Sequence, residues 1–349
     1  MHIRFLLHIT TAAALLFSAC STDLEVPFPR HDPKLTLNTF LTEGKPIDLY
    51  LTRSFGTLED VTADKILIRD AVVQLFRDGT LLGNMAFIDT MLMDTVFSYT
   101  FSPGPGLPDT TFYYIEERKT AKYLPAQPID LPRAGETYRF VATHPSYGTA
   151  TAETTIPAQP DVLSLRVARD SLVTREFIDG YQDRWASLKV RINDPAGEEN
   201  YYNFIASFRY RYPIIDFPEA DTTFGWDWAA TEIRRDPDGY SYGVRGPLAD
   251  TEIDGTGALY AWLRLPGCCG YANERDDKNY EYIDLTLQVI SMTDIYAQFQ
   301  KKLQLQRENR LDGIESAFLP TEPVVIPSNV EGGYGVVGAF NSTTVRIGL

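Results

Sequence analysis

Val72-Val73-Gln74-Leu75-Phe76-Arg77-Asp78-Gly79-Thr80-Leu81-Leu82 decides the fold. Val73 and Leu75 recur at a period of two, the period of a strand with one buried face. Two residues, Asp78-Gly79, separate this run from the next apolar run, and Asp-Gly tolerates the positive φ that a tight hairpin turn demands. The stretch therefore predicts two antiparallel strands joined by a two-residue turn. Upstream, Leu35, Leu37 and Leu41 alternate with polar positions, as do Ile47, Leu49 and Leu51. Downstream, Gly135–Ala142 leads through His144-Pro145-Ser146-Tyr147-Gly148 into Thr149–Ile156, a strand, a turn and a strand. Short strands at this spacing predict an immunoglobulin- or fibronectin-like antiparallel β-sandwich over residues 34–157. Tyr138 is either the corner tyrosine of such a sandwich or an ordinary strand aromatic.

Ile156-Pro157-Ala158-Gln159-Pro160 reads as a boundary, because two prolines in five residues stop strand pairing and stiffen the chain. Residues 158–349 then form a second β-rich domain. Val162–Val167, Ser187–Ile192, Tyr201–Tyr212 and Tyr280–Ile290 read as strands, with Asn193-Asp194-Pro195-Ala196-Gly197 a turn cluster. One amphipathic helix is predicted over about 293–309. Ser291 and Thr293 are candidate caps, Asp294 sits at the positive end of the dipole, and Ile295, Phe299 and Leu303 follow at i, i+4 and i+8.

The chain has 349 residues, with 32 Lys and Arg against 47 Asp and Glu, a formal charge of −15. That balance excludes nucleic acid as a partner, since nothing would neutralise the phosphates, and it disfavours broad adhesion to anionic lipid. The N-terminus carries an address. Arg4 precedes the apolar run Phe5–Phe17, which ends in Ser18-Ala19-Cys20. The run is too short to span a bilayer and reads as a secretory signal over residues 1–19. Small residues directly before a cysteine resemble the lipobox of bacterial lipoproteins, which implies a lipid on Cys20. Residues 20–33 are then the lipidated cysteine and an extended tether with Pro27, Pro29 and Pro33. The acidic stretch after Cys20 reads either as a surface-export tag or as a solvated spacer. No other run approaches the ~20 apolar residues of a spanning helix, so the lipid is the expected anchor.

Several segments occur together in a fixed order: Val72–Gly79, Ala134–Tyr138, Thr155-Ile156-Pro157, Asn193-Asp194-Pro195 with Tyr201-Tyr202, and Pro327–Gly335. This order resembles an outer-membrane lipoprotein family catalogued as domain of unknown function 4249. The resemblance spans nearly the whole chain after the leader. It implies residence at the outer membrane and companionship with TonB-dependent receptors, and the acidic stretch after Cys20, read as an export tag, would face the protein to the cell exterior. The family carries no established activity, so no catalytic residue is transferred.

The residues that carry common chemistries are mostly absent. Outside the leader only His31 and His144 remain, and no Gly-x-Ser-x-Gly elbow accompanies them. There is no His-Glu-x-x-His, P-loop or dinucleotide fingerprint. No catalytic residue and no protein metal ligand is assigned, and no cofactor is expected. Asp236-Pro237-Asp238-Gly239 and Asn273–Asp277 are oxygen-rich enough for calcium, but neither fits a twelve-residue calcium loop. Gly332-Gly333-x-Gly335-x-x-Gly338 lacks the helix a phosphate loop needs, so its glycines are read as permitting positive φ or close backbone approach. Cys268 and Cys269 are adjacent between Gly267 and Gly270. In an oxidising compartment they close a vicinal disulfide, remain buried thiols or bridge to a partner.

Trp226 and Trp228, in Gly225-Trp226-Asp227-Trp228, are the candidate binding residues. At i and i+2 on a strand they share a face, and in an exposed aromatic loop they would form a platform for a glycan or a peptide. The competing reading is core filling. The overall expectation is a non-enzymatic surface lipoprotein that binds a ligand and assists a TonB-dependent transporter in nutrient uptake. The alternatives are a structural component of an outer-membrane complex or a carboxylate-based hydrolase.

Overall fold

The structure, a computed structural model, describes residues 31–56, 59–101, 110–176, 181–194, 199–214, 223–231, 233–234, 246–249, 257–265, 270–271, 281–308 and 324–349. The protein is mainly β. Its first half holds β1 (Leu35–Leu41), β2 (Tyr50–Arg53), the one-turn helix α1 (Ala63–Ile66), β3 (Val72–Arg77), β4 (Thr80–Phe101), β5 (Thr110–Pro125), β6 (Thr137–His144) and β7 (Gly148–Thr155). The second half holds β8 (Asp161–Glu176), β9 (Tyr181–Asn193), β10 (Tyr201–Ile214), β11 (Thr223–Thr231), β12 (Ile233–Arg234), β13 (Leu248–Ala249), β14 (Ala258–Arg264), β15 (Gly270–Tyr271), β16 (Glu281–Met292), α2 (Asp294–Glu308) and β17 (Tyr334–Gly348).

These strands make three sheets. One has the order β5-β4-β3-β6-β7, another β12-β14-β9-β15 with β8 also on β9, and the longest β11-β10-β16-β17-β1-β2 with β13 also on β10. The long sheet backs both smaller ones. Leu35, Leu37 and Val337 of the long sheet share a core with Val73, Leu75 and Phe140 of the β3-containing sheet. Phe204, Phe208 and Leu287 share a second core with Leu188, Val190 and Leu263. The result is two sandwiches side by side on one common sheet.

The hairpin that decides the fold forms as predicted. Arg77 pairs with Thr80, and Asp78 and Gly79 take φ of 48° and 79°, the left-handed pair of a type I′ turn. Tyr138 bonds a side chain rather than the backbone that a corner tyrosine reaches. It is fully buried, and its hydroxyl donates to Glu136 Oε2 at 2.7 Å. Glu136 also accepts from the Arg133 N–H at 2.9 Å and pairs with Arg77 at 3.4 Å. Burial works against ionising Glu136, but the bonds from Tyr138 and Arg133 outweigh it and hold its carboxyl below the usual range.

β17 joins the two sandwiches. Tyr334–Ala339 run parallel to Thr36–Leu41 of β1, and Phe340–Gly348 run antiparallel to Asp284–Met292 of β16. Glycines make this possible. Gly335 has φ of 118°, and a Cβ there would overlap the Leu37 backbone. At Gly338 a Cβ would press against the Tyr296 side chain of α2, 2.9 Å from its Cβ. The glycine-rich stretch is thus the close-approach element its composition predicts.

The helix falls one residue inside each predicted end, and its caps work differently from the sequence reading. Thr293 Oγ1 bonds to the backbone of Ala339, accepting its N–H at 3.1 Å, while Ser291 Oγ donates to the Ala158 carbonyl at 2.6 Å. Both hydroxyls thus tie the helix start to neighbouring chain. The packing face is also shifted. Ala297 is fully buried, and Tyr296 and Phe299 pack on Phe40 at centroid distances of 4.5 and 5.4 Å.

Candidate functional site

On β10, Tyr202, Phe204, Ala206 and Phe208 are buried in the second core. The pleat therefore turns Ile205, Ser207 and Arg209 to the opposite, outer face, where Ile205 is 48% exposed. On β16, Leu285, Leu287 and Val289 face the core and Asp284, Thr286 and Gln288 face out. On β17, Arg346 lies opposite Thr286 and takes the outer face as well.

Three adjacent strands thus bring Arg209, Asp284 and Arg346 together. Asp284 Oδ2 receives Arg209 Nη2 at 2.7 Å and Arg346 Nη2 at 2.6 Å. Asp284 is 4% exposed, whereas the two arginine side chains are 34% and 50% exposed. Burial alone would raise the Asp284 pKa, but the two guanidiniums outweigh it and hold the carboxyl below its usual range. Its second oxygen, Oδ1, is buried without a hydrogen bond. The trio is a fixed, ionised cluster with two arginines at the surface.

The predicted aromatic residues join this cluster by register. Trp228 is paired with Arg209 and Trp226 with Arg211. Their segment is not the loop the sequence suggests. It is β11, an edge strand laddered to β10 from Thr223 to Thr231, because a long β10 offers an unpaired backbone row that this Thr- and aromatic-rich segment can complete. Only the backbone of β11 is described, and pairing places positions 226 and 228 on the face that carries Arg209. Trp185, by contrast, is fully buried.

The remaining candidates fall elsewhere. Cys20, Cys268, Cys269 and the oxygen-rich stretches 236–239 and 273–277 lie outside the described residues. Among the described residues no group of three or more His, Cys, Asp or Glu is arranged for a metal ion. His144 is less open than its His-Pro turn suggests. Its side chain is 10% exposed, stacked on Tyr147 at 4.7 Å and 3.2 Å from Asp70 Oδ1. His31 Nε2 is 2.9 Å from Ser54 Oγ. A cavity of about 500 Å³ opens on the first sandwich between Pro46-Ile47 and Leu124–Pro132, walled largely by proline and aliphatic side chains.

Sequence reasoning missed Arg209, Asp284 and Arg346, which are far apart in the chain. One signal was present. Each is a lone charge between apolar neighbours in a strand: Phe208-Arg209-Tyr210, Ile283-Asp284-Leu285 and Val345-Arg346-Ile347. Such a charge faces water or pairs with another charge, and only strand pairing reveals its partner.

The fold and the site define a mainly β protein of two sandwiches on a common sheet, with an arginine–aspartate cluster beside a tryptophan-bearing edge strand. The chain belongs to the family described as domain of unknown function DUF4249, whose profile matches residues 21–346. No curated protein matches it.

Proposed function

We propose that this protein is a lipid-anchored surface protein of the outer membrane that acts by binding, without catalysis, as an accessory to a TonB-dependent transporter in nutrient uptake. The observation that carries the binding reading is the register of Trp226 and Trp228 against Arg211 and Arg209 on the outer face of the long sheet. Trp and Arg are the residue types in which binding energy concentrates. The anchoring reading rests on the leader and on Cys20 after Ser18-Ala19. Lipid on Cys20 would leave both sandwiches outside the bilayer on the 21–33 tether.

The binding test is Trp226→Ala/Trp228→Ala against wild type, in a pull-down from solubilised outer membrane and in thermal melting. The double variant should weaken partner capture by roughly 2 kcal/mol, the scale of an interface hot spot, with an unchanged melting temperature. Unchanged capture removes the tryptophans from the site, and a collapsed melting temperature makes them core residues. For the anchor, Cys20→Ala should move the protein from the membrane fraction to the soluble fraction, and retention in the membrane would refute lipidation at that position.

A further inference from the structure

We infer that the outer face of the β8-β9-β14 sheet docks on a membrane surface bearing anionic phosphate headgroups, through Arg166, Lys189 and Arg191 with Tyr260 and Trp262 beside them. The inference rests on the lipid-anchor reading above and deepens it, because it assigns the face that the anchored protein turns to the bilayer.

On β9, Ala186, Leu188, Val190 and Ile192 face the second core, as do Leu259, Ala261 and Leu263 of β14. Ser187, Lys189, Arg191, Tyr260 and Trp262 therefore take the outer face. Register places Arg166 of β8 directly opposite Lys189 and Ser164 opposite Arg191, while Tyr260 lies opposite Lys189 on the other side. Arg166, Lys189 and Arg191 are exposed, and none makes an ion pair with a described residue. Lys189 Nζ lies 4.7 Å from the centre of the Tyr260 ring, and Tyr260 is 57% exposed. Asp161 shares this face beyond Arg191, where Asn193 Nδ2 lies 3.5 Å from it. At the other end Trp185 is fully buried, so the open strip begins at Ser187.

Like charges directly opposite one another destabilise a sheet. In a chain with 47 acidic residues and a formal charge of −15, three neighbouring cations without a carboxylate partner point to an anion from outside. Cations on an edge strand also discourage aggregation, which accounts for Arg166 on β8. It does not account for Lys189 and Arg191, because β9 is laddered on both sides there. The shape favours a surface as partner, since small-molecule sites are concave and this is an open sheet face. Phosphate suits both kinds of cation, and tyrosine and tryptophan belong at the headgroup level of a bilayer. The net charge disfavours adhesion by the whole protein surface. Headgroup attraction fades within about 8 Å, however, so only the charges of the docked face count. The stretch 20–33 reaches at most roughly 45 Å, and a lipid at its start holds the protein without choosing a face.

The experiment is co-sedimentation of the full mature chain carrying Cys20→Ala, and so no lipid, with vesicles. One set holds phosphatidylglycerol and phosphatidylcholine in equal parts, the other phosphatidylcholine alone. Binding to the anionic vesicles is expected, with at least about a tenfold loss on neutral vesicles, in about 0.5 M salt and for Arg166→Gln/Lys189→Gln/Arg191→Gln. No binding to the anionic vesicles, equal binding to the neutral ones, or unchanged binding by the triple variant would overturn the proposal. So would tighter binding of polyglutamate than of vesicles, which would make the face a site for an acidic protein. The triple variant is checked by melting and should melt no lower than wild type, because repulsion is removed. If it unfolds early, Lys189→Gln alone takes its place, with a smaller loss expected. Vesicle binding by this face, with wild-type protein found in the soluble fraction of cells, would refute the anchor at Cys20 and leave the docking face standing. Membrane retention that depends on Cys20, without vesicle binding, would refute the docking face alone.

Discussion

At the scale of single residues, Asp284 has the most to lose. It is buried, and Arg209 and Arg346 hold it ionised. Its folded pKa lies below its ordinary value. A depressed carboxyl stabilises the folded state fully above the unfolded pKa of about 4, and that contribution disappears as pH falls through the lower folded pKa. Melting temperature should therefore fall below about pH 4. Asp284→Asn should cost about 2 kcal/mol at pH 7, because it removes the buried ionised acceptor that both guanidiniums bond. In that variant the acid-side fall should be shallower. Thermal melts of both proteins at several pH values test this, and parallel curves would mean that Asp284 does not carry the acid sensitivity. Local sequence marks Asp284 only as a lone charge between Ile283 and Leu285, and its importance comes from its two partners.

At the scale of elements, the proline-rich boundary turns out to be a bound segment. Ser291 Oγ donates to the Ala158 carbonyl at 2.6 Å, Asn341 Nδ2 to the Pro157 carbonyl at 3.2 Å, and Thr343 Oγ1 to the Pro160 carbonyl at 2.6 Å. Asn341 also donates to Glu43 at 3.0 Å, and Gln159 donates to the same carboxylate oxygen at 3.1 Å. Side chains of the long sheet thus satisfy carbonyls that prolines keep out of any ladder. Asn341 is 3% exposed, so Asn341→Ala should cost about 2 kcal/mol by leaving buried groups unpaired. Gln288→Ala, on the outer face, should stay within about 0.5 kcal/mol. Chemical denaturation of the two variants measures the contrast, and equal effects would remove the clasp as a stabilising element. Prolines announced that pairing stops here, but the hydrogen bonds come from residues more than 110 positions away.

At the scale of the whole molecule, the chain ends where it began. β17 supplies Val337 and Ala339 to the first core and pairs with β1, so residues 31–157 lack a strand of their own sandwich. Without it, β1 keeps only β2 as a ladder partner, and a two-stranded ribbon is marginal in water. A fragment of residues 31–157 should show no cooperative thermal transition and poor amide dispersion by nuclear magnetic resonance. A sharp transition in that fragment would mean that β17 only decorates the first sandwich. The same topology makes folding depend on contacts between the first and last strands, the long-range pairing that slows β proteins.

The β class, the Asp78-Gly79 hairpin and the helix near residue 300 were all legible in the sequence. Each rests on local physics: a period of two, a left-handed turn pair, or a repeating apolar stripe. The tryptophan pair was legible on a strand or in a loop, but its pairing was not, because an edge strand is defined by the neighbour it pairs with. Only the tertiary structure decided that one sheet backs both sandwiches, that the boundary is clasped, and that Arg209, Asp284 and Arg346 meet. Those features depend on register between strands distant in the chain. A shift of one residue along any of them would turn the same side chains to the other face, and no local pattern records which partner a strand will choose.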